Sequence, residues 1–122
     1  MDKFIVVLGT RYYIKFRDFV EDPKFERDNI DGYCDCVNKE IIACNMLSRN
    51  DAWKDESSNT CKMYEQSVLR HEIIHAFLFE SGLADSSAPT TGGWAVCEEM
   101  IDWFAIQGPK IFNAWKELNI LL

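Results

Sequence analysis

No apolar run in this sequence approaches the roughly 20 residues that a membrane-spanning helix requires, so no membrane anchor is expected. Basic residues are scarce: 13 Lys and Arg stand against 20 Asp and Glu, for a net charge of −7. A nucleic-acid or anionic-membrane surface needs a basic patch, and this balance argues against both. The opening Met1-Asp2-Lys3 and the short run Phe4 to Leu8 lack the length and the small-residue cleavage site of a secretory leader. The five cysteines are odd in number, and no second Cys pair stands at zinc-finger spacing from Cys34-x-Cys36. Reduced structural thiols in a cytoplasmic protein are therefore expected, rather than a disulfide framework or a second metal site. No internal repeat or low-complexity segment appears, and the 122 residues suit one domain, 1–122, with a single core.

Histidine is the scarcest of all the residues able to bind a metal. There are two, and both fall in His71-Glu72-Ile73-Ile74-His75, inside a segment free of Pro and Gly from Thr60 to Ser81. On a helix, residues four apart share a face about one turn from each other, so His71 and His75 can aim two imidazoles at one point. Imidazole suits zinc, and a catalytic zinc takes three protein ligands and leaves a fourth position for water. Glu72 can flank that open side and accept a proton. The plain alternative is a pair of core histidines hydrogen-bonded on a buried helix.

Around the motif the pattern predicts an α+β chain. Phe4 to Phe16 is rich in β-branched and aromatic residues and is broken at Gly9-Thr10, which reads as strand, turn, strand. Asp18 to Asp31, with Pro23, reads as a loop or a short irregular helix. Tyr33 to Val37 and Ile41 to Cys44, joined by Asn38-Lys39-Glu40, read as a hairpin. Ser48 to Asn59 is a polar connector. The motif helix is expected to start near Asn59 or Thr60 and to stop at Gly82, with sheet on one side and helices on the other. Ala84 to Gly93 reads as a loop that borders the site or merely connects. A second helix is expected over Trp94 to Gln107, stopped by Gly108-Pro109. A third follows from Pro109 or Lys110, with Ile111, Phe112, Trp115 and Leu118 as core packing.

Two histidines do not hold a catalytic zinc alone. On the second helix Glu98, Ile101, Asp102 and Ala105 share one face, while Glu99 points about 100° away. Glu98 is the expected third ligand, and Asp102 the acceptor for the outer N–H of a ligating His. A carboxylate ligand with a second carboxylate one turn later is a sensible arrangement, and Asp102's placement inside an otherwise apolar helix supports its role, because a buried acid needs a partner. Cys97 as the ligand, or Glu98, Glu99 and Asp102 as solvated surface acids, are the alternatives.

His71-Glu72-x-x-His75 on one helix and Glu98-x-x-x-Asp102 on a later one resemble the gluzincin type of zinc metallopeptidase. Leu69 to Phe77, with Glu98, Asp102, Phe104 and Ala105, is similar to the ImmA/IrrE family of small zinc peptidases from bacteria, phages and mobile elements, several of which cleave repressor proteins. That family often has Asn where this chain has Asp102. The resemblance implies a minimal zincin-like fold: a small mixed or antiparallel sheet on the central metal helix, with two further C-terminal helices. It also implies one Zn2+ and a protein or peptide substrate. An edge strand would bind extended substrate by strand addition, and Ile41 to Asn45 or Tyr33 to Val37 are the candidates. Zincins often stabilise the oxyanion with a Tyr or His; with no His left over, Tyr64 or Tyr33 would serve here. A non-catalytic zinc-binding interaction or regulatory domain is the other reading of the same motif.

Overall fold

A computed structural model describes residues 3–49, 52–87 and 93–121. Four strands form one mixed sheet: β1 (Lys3–Val7), β2 (Thr10–Arg17), β3 (Gly32–Asp35) and β4 (Glu40–Cys44). Their spatial order is β1-β2-β4-β3, with β2 and β4 parallel and both outer pairs antiparallel. Among the described residues four α-helices accompany it: α1 (Pro23–Arg27), α2 (Ser58–Glu80), α3 (Leu83–Ser87) and α4 (Glu98–Glu117). Among the described residues no helix is long and apolar enough to cross a membrane.

The β1–β2 turn is Leu8-Gly9, both at positive φ (49° and 89°). Two such residues make the tight turn whose twist matches the flanking strands. The β3–β4 turn is held by the Asp35 carboxylate, which accepts from the backbone N–H groups of Val37 (3.2 Å) and Asn38 (2.9 Å). The expected irregular stretch after β2 contains a 3-10 turn, Phe19–Glu21, and α1, which Asp22 caps by accepting from Lys24 N (3.1 Å). Pro23 fits at the first helical position because the N–H it lacks has no intrahelical partner there.

The sheet is apolar on both faces. Val7, Tyr12, Ile41 and Ala76 form a core between its front face and α2. Phe25, Ile42, Cys44, Met46 and Cys61 form another on the reverse face, closed by α1 together with the first turn of α2, which carries Cys61. Glu80, at the last turn of α2, accepts from Tyr12 Oη (2.7 Å), Thr10 Oγ1 (3.1 Å) and Lys39 Nζ (2.6 Å), pinning that end of the helix to both hairpins. At Gly32 the strand β3 runs so close to α2 that an added Cβ would stand 2.5 Å from Val68 Cγ1 and 2.8 Å from the Ile42 carbonyl oxygen.

α2 begins earlier than the sequence suggests. Ser57, not Asn59 or Thr60, is the cap, accepting from Thr60 N (3.1 Å). It stops where expected, with Gly82 at φ 84°. The 84–93 segment is not all loop: α3 takes its first residues, a 3-10 turn follows at Trp94–Val96, and residues 88–92 lie outside the described ones.

The largest departure concerns the C-terminus. Two helices divided by Gly108-Pro109 were predicted, and a single one, α4, runs through both residues. An interior proline removes one backbone N–H and crowds the carbonyl four residues back, at a cost of about 3 kcal/mol. That carbonyl belongs to Ala105, which is buried, and Arg70 Nε of α2 donates to it at 3.1 Å. Gly108, without a Cβ, relieves part of the clash that a proline imposes on its predecessor. The core role expected of Phe112, Trp115 and Leu118 also fails, whereas Ile111 is half-buried. Phe112, Trp115 and Leu118 are exposed, because α4 leaves the body of the molecule beyond Pro109.

Candidate metal centre

α2 packs on the front of the sheet, and α4 crosses it so that the first turn of α4 faces the middle of α2. The acids of that turn suit the positive end of the helix dipole, and they also meet the two histidines. Glu98 Oε2 stands 3.0 Å from His71 Nε2, Glu98 Oε1 stands 3.2 Å from His75 Nε2, and the two Nε2 atoms are 3.1 Å apart. Asp102 Oδ1 is 2.7 Å from His71 Nδ1. A carboxylate can only accept, so it places the proton on Nδ1 and leaves the Nε2 lone pair facing the other donors.

That convergence tests whether the residues fit a metal. Two imidazole lone pairs and a carboxylate aimed at one point repel each other unless a cation or proton sits between them. With zinc–ligand bonds of about 2.0–2.1 Å, tetrahedral donors stand about 3.3 Å apart, close to the three distances here. His71, Glu72 and His75 also form a metal-capable group, which no thiol joins among the described residues. Cys97 is the half-buried residue preceding α4. Cys34 and Cys36 lie on the β3 side with their sulfurs 3.5 Å apart, and burial raises both thiols above their ordinary value. Neutral, partly buried thiols are poor ligands and poor nucleophiles.

The side chains of Glu98 and Asp102 are 63% and 62% exposed, so the burial expected for Asp102 is absent. They share a helix face one turn apart, and that face meets the histidines. Glu99 is exposed and stands on another face.

Glu72 is different. It is buried, its Oε2 is 4.0 Å from His71 Nε2, and burial lifts its carboxyl to about 7 against the pull of His71, with Glu98 and Asp102 adding to the rise. Burial holds the His75 imidazole below its ordinary value, against the Glu98 carboxylate, which favours the neutral, ligating form. An acid–base group with a pKa near the working pH is what proton transfer in both directions requires.

Beside His71, Glu72 and Asp102 lies a cleft of about 290 Å³, walled further by Tyr64, Ser67 and Val68 of α2 and by Ile30 to Gly32 at the start of β3; His75 and Glu98 do not line it. Of the two tyrosines proposed for the oxyanion, Tyr64 lines this cleft and donates its hydroxyl proton to Asp31. Tyr33 does not line it. Its side chain turns to the reverse face, donating to Asp22 and accepting from Arg17 Nη1 (3.1 Å). The edge-strand candidates also separate. β4 is paired on both sides, so Ile41 to Asn45 offers no free edge, whereas β3 is an edge strand. Arg70 and Glu80, which set α4 and α2 in place, carried no sequence signal of their own; only the spacing from Ala105 to Pro109 could have suggested a donor for the freed carbonyl.

No family model, curated protein or solved structure matches the chain.

Two expectations follow from this geometry. In the metal-free chain, native Glu72 keeps a proton between the ordinary carboxylate range and about pH 7, whereas the unfolded chain releases it. The native state binds more protons there, so stability falls as pH rises through that window, by about 3 kcal/mol at most. Urea unfolding across that range is expected to show the fall in wild type and its absence in Glu72→Gln; the His75 contribution has the opposite sign and cancels in the comparison. Equal pH dependence in the two proteins would remove the burial argument. Separately, Asp102→Ala is expected to weaken zinc binding about 10- to 100-fold, measured by competition with a chromophoric chelator. Unchanged affinity would leave Asp102 without a part in the site.

Proposed function

We propose that the chain is a zinc-dependent metallopeptidase of minimal zincin type, acting on a protein substrate, with a repressor or regulator as the class its ImmA/IrrE resemblance suggests. The observation that carries this reading is the meeting of His71, His75 and Glu98 within 3.0–3.2 Å beside a buried Glu72. His71, His75 and Glu98 would hold the metal. When bound, zinc supplies Lewis-acid polarisation of the scissile carbonyl and lowers the pKa of water toward neutrality. Glu72 accepts the water proton and returns it to the leaving amine, both steps being accessible to a carboxyl near neutrality. Asp102 fixes the tautomer and orientation of His71. Tyr64, whose side chain lines the cleft, would assist the developing oxyanion once it exchanges its Asp31 partner for substrate. The free edge of β3 runs into the cleft at Gly32, which suits an extended peptide laid against it as an added strand.

A structural zinc domain would close its metal with a fourth protein ligand, and a buried acid beside an open side is not what such a site needs. The test is hydrolysis of an unstructured protein substrate by purified chain. Activity is expected with zinc, abolished by a chelator and restored by added zinc. Zinc bound in stoichiometric amount with no cleavage of unstructured or regulator-class substrates would favour the structural domain.

A further inference from the structure

From Phe112 to Leu121 every residue is exposed, yet Ile111, Phe112, Trp115 and Leu118 recur at helical spacing. Along this side, α4 and the flank of α2 that carries Ile73, Ile74 and Phe77 enclose an open groove of about 410 Å³. Phe77, Phe104, Phe112 and Trp115 are 42%, 50%, 57% and 46% exposed. A short helical extension with its apolar stripe in water has little to hold it, and an apolar patch of a few hundred Å² is often a functional surface.

We propose that this face is a homodimer interface, in which α4 of one copy crosses α4 of a second about a two-fold axis near Ile111 and Phe112. Three features select a second copy. The first is area. Aromatic side chains carry about 150–250 Å² each, so the four half-exposed rings offer roughly 400 Å². Leu118 and Ile120, 72% and 62% exposed, extend the face toward the roughly 800 Å² per partner of a stable pair.

The second is charge. Copies with a net charge of −7 repel, but the groove contains no carboxylate, and its only charged lining group, Arg70, is turned to the Ala105 carbonyl. Glu98, Glu99 and Asp102 lie at the other end of α4 and take no part in the groove.

The third is shape. Gly108 leaves a notch, with nothing nearer to its missing Cβ than the Phe104 ring at 3.9 Å. Trp115 projects from the same helix face two turns on, about 10 Å away. A two-fold axis midway seats each Trp115 in the partner's notch, as a self-complementary interface demands.

Sedimentation velocity over about a hundredfold range of concentration is expected to show a species of twice the 14.2 kDa chain mass that dissociates on dilution. Trp115→Glu is expected to raise the dissociation constant about 100-fold or more. Gly108→Leu fills the notch while improving helix propensity, so it should give a monomer whose helical circular dichroism is undiminished; this separates a lost interface from a lost fold. Trp103→Glu, outside the groove, should leave the dimer intact. A wild-type chain that is monomeric throughout overturns the proposal. So does a dimer that survives both Trp115→Glu and Gly108→Leu, and so does a monomer that instead binds neutral phosphatidylcholine vesicles through Trp115.

Discussion

Glu98→Ala is expected to strip zinc from the chain, while Glu72→Gln keeps the metal and loses the activity. The two carboxylates are close together and do different work. Glu98 is exposed and within 3.0–3.2 Å of both imidazoles, so its value lies in its charge and position as a donor. Removing it leaves two neutral nitrogens, and affinity should fall by about 100-fold or more, since even outer partners of ligands are worth 10- to 100-fold. Glu72 is buried beside the pair, with its carboxyl near 7, and an amide in its place keeps the shape while removing the proton acceptor. Loss of a positioned general base costs about 10²- to 10⁴-fold in rate. Elemental analysis of wild type, Glu98→Ala, Glu72→Gln and Glu99→Ala, with turnover on the same preparations, checks all of this at once. Glu99→Ala should match wild type in both. A Glu98→Ala protein that retains its zinc would move the third ligand elsewhere. A Glu72→Gln protein with full turnover would leave the buried carboxyl without a chemical role.

Arg70→Met is expected to destabilise the fold by about 2 kcal/mol, and Pro109→Ala to reduce most of that penalty. Arg70 Nε donates to the Ala105 carbonyl, the acceptor that Pro109 deprives of its helical partner. A buried carbonyl left unmatched costs about 1–3 kcal/mol. With alanine at 109 the backbone N–H returns and satisfies Ala105 from within the helix, so the arginine is no longer required. A double-mutant cycle read by urea unfolding should therefore show a coupling of about 1–2 kcal/mol. Additive effects would mean that Arg70 acts only through packing against α4. The consequence reaches the metal centre, because Arg70 precedes His71, and Ala105 lies one turn beyond Asp102. A weakened joint would also lower zinc affinity in Arg70→Met.

Much of the architecture was legible because its signals are local. Gly9, which takes a positive φ without strain, and the polar Asn38-Lys39-Glu40 stretch announce the two hairpins; that Leu8 shares the first turn at φ 49° and that Asp35 holds the second were decided by the fold. The spacing of His71 and His75 fixes their common face whatever surrounds them. Glu98 and Asp102 share a face because four residues make about one helical turn, whereas the burial that the sequence pattern implies for Asp102 is absent. Tyr33 was misplaced because a side chain's face on a strand depends on register and edge position, which the strand's own residues do not encode. The same holds for β4: nothing in Ile41 to Cys44 says that β2 will pair with it in parallel and cover its free edge.

By itself, then, the chain determined the strand–turn–strand units, the long central helix and its Gly82 stop, and which residues on each helix share a face with the histidines, because turns, caps and helical periodicity are set within a few residues. Only the tertiary structure decided the rest. It left β3 as the strand at the cleft's edge, carried α4 unbroken through Pro109 on a hydrogen bond from Arg70, and exposed the Phe112–Leu118 stripe that periodicity alone reads as core. Those outcomes depend on partners distant in sequence: a carbonyl that loses its N–H finds a donor 35 residues away, and an apolar face is buried only where another element reaches it.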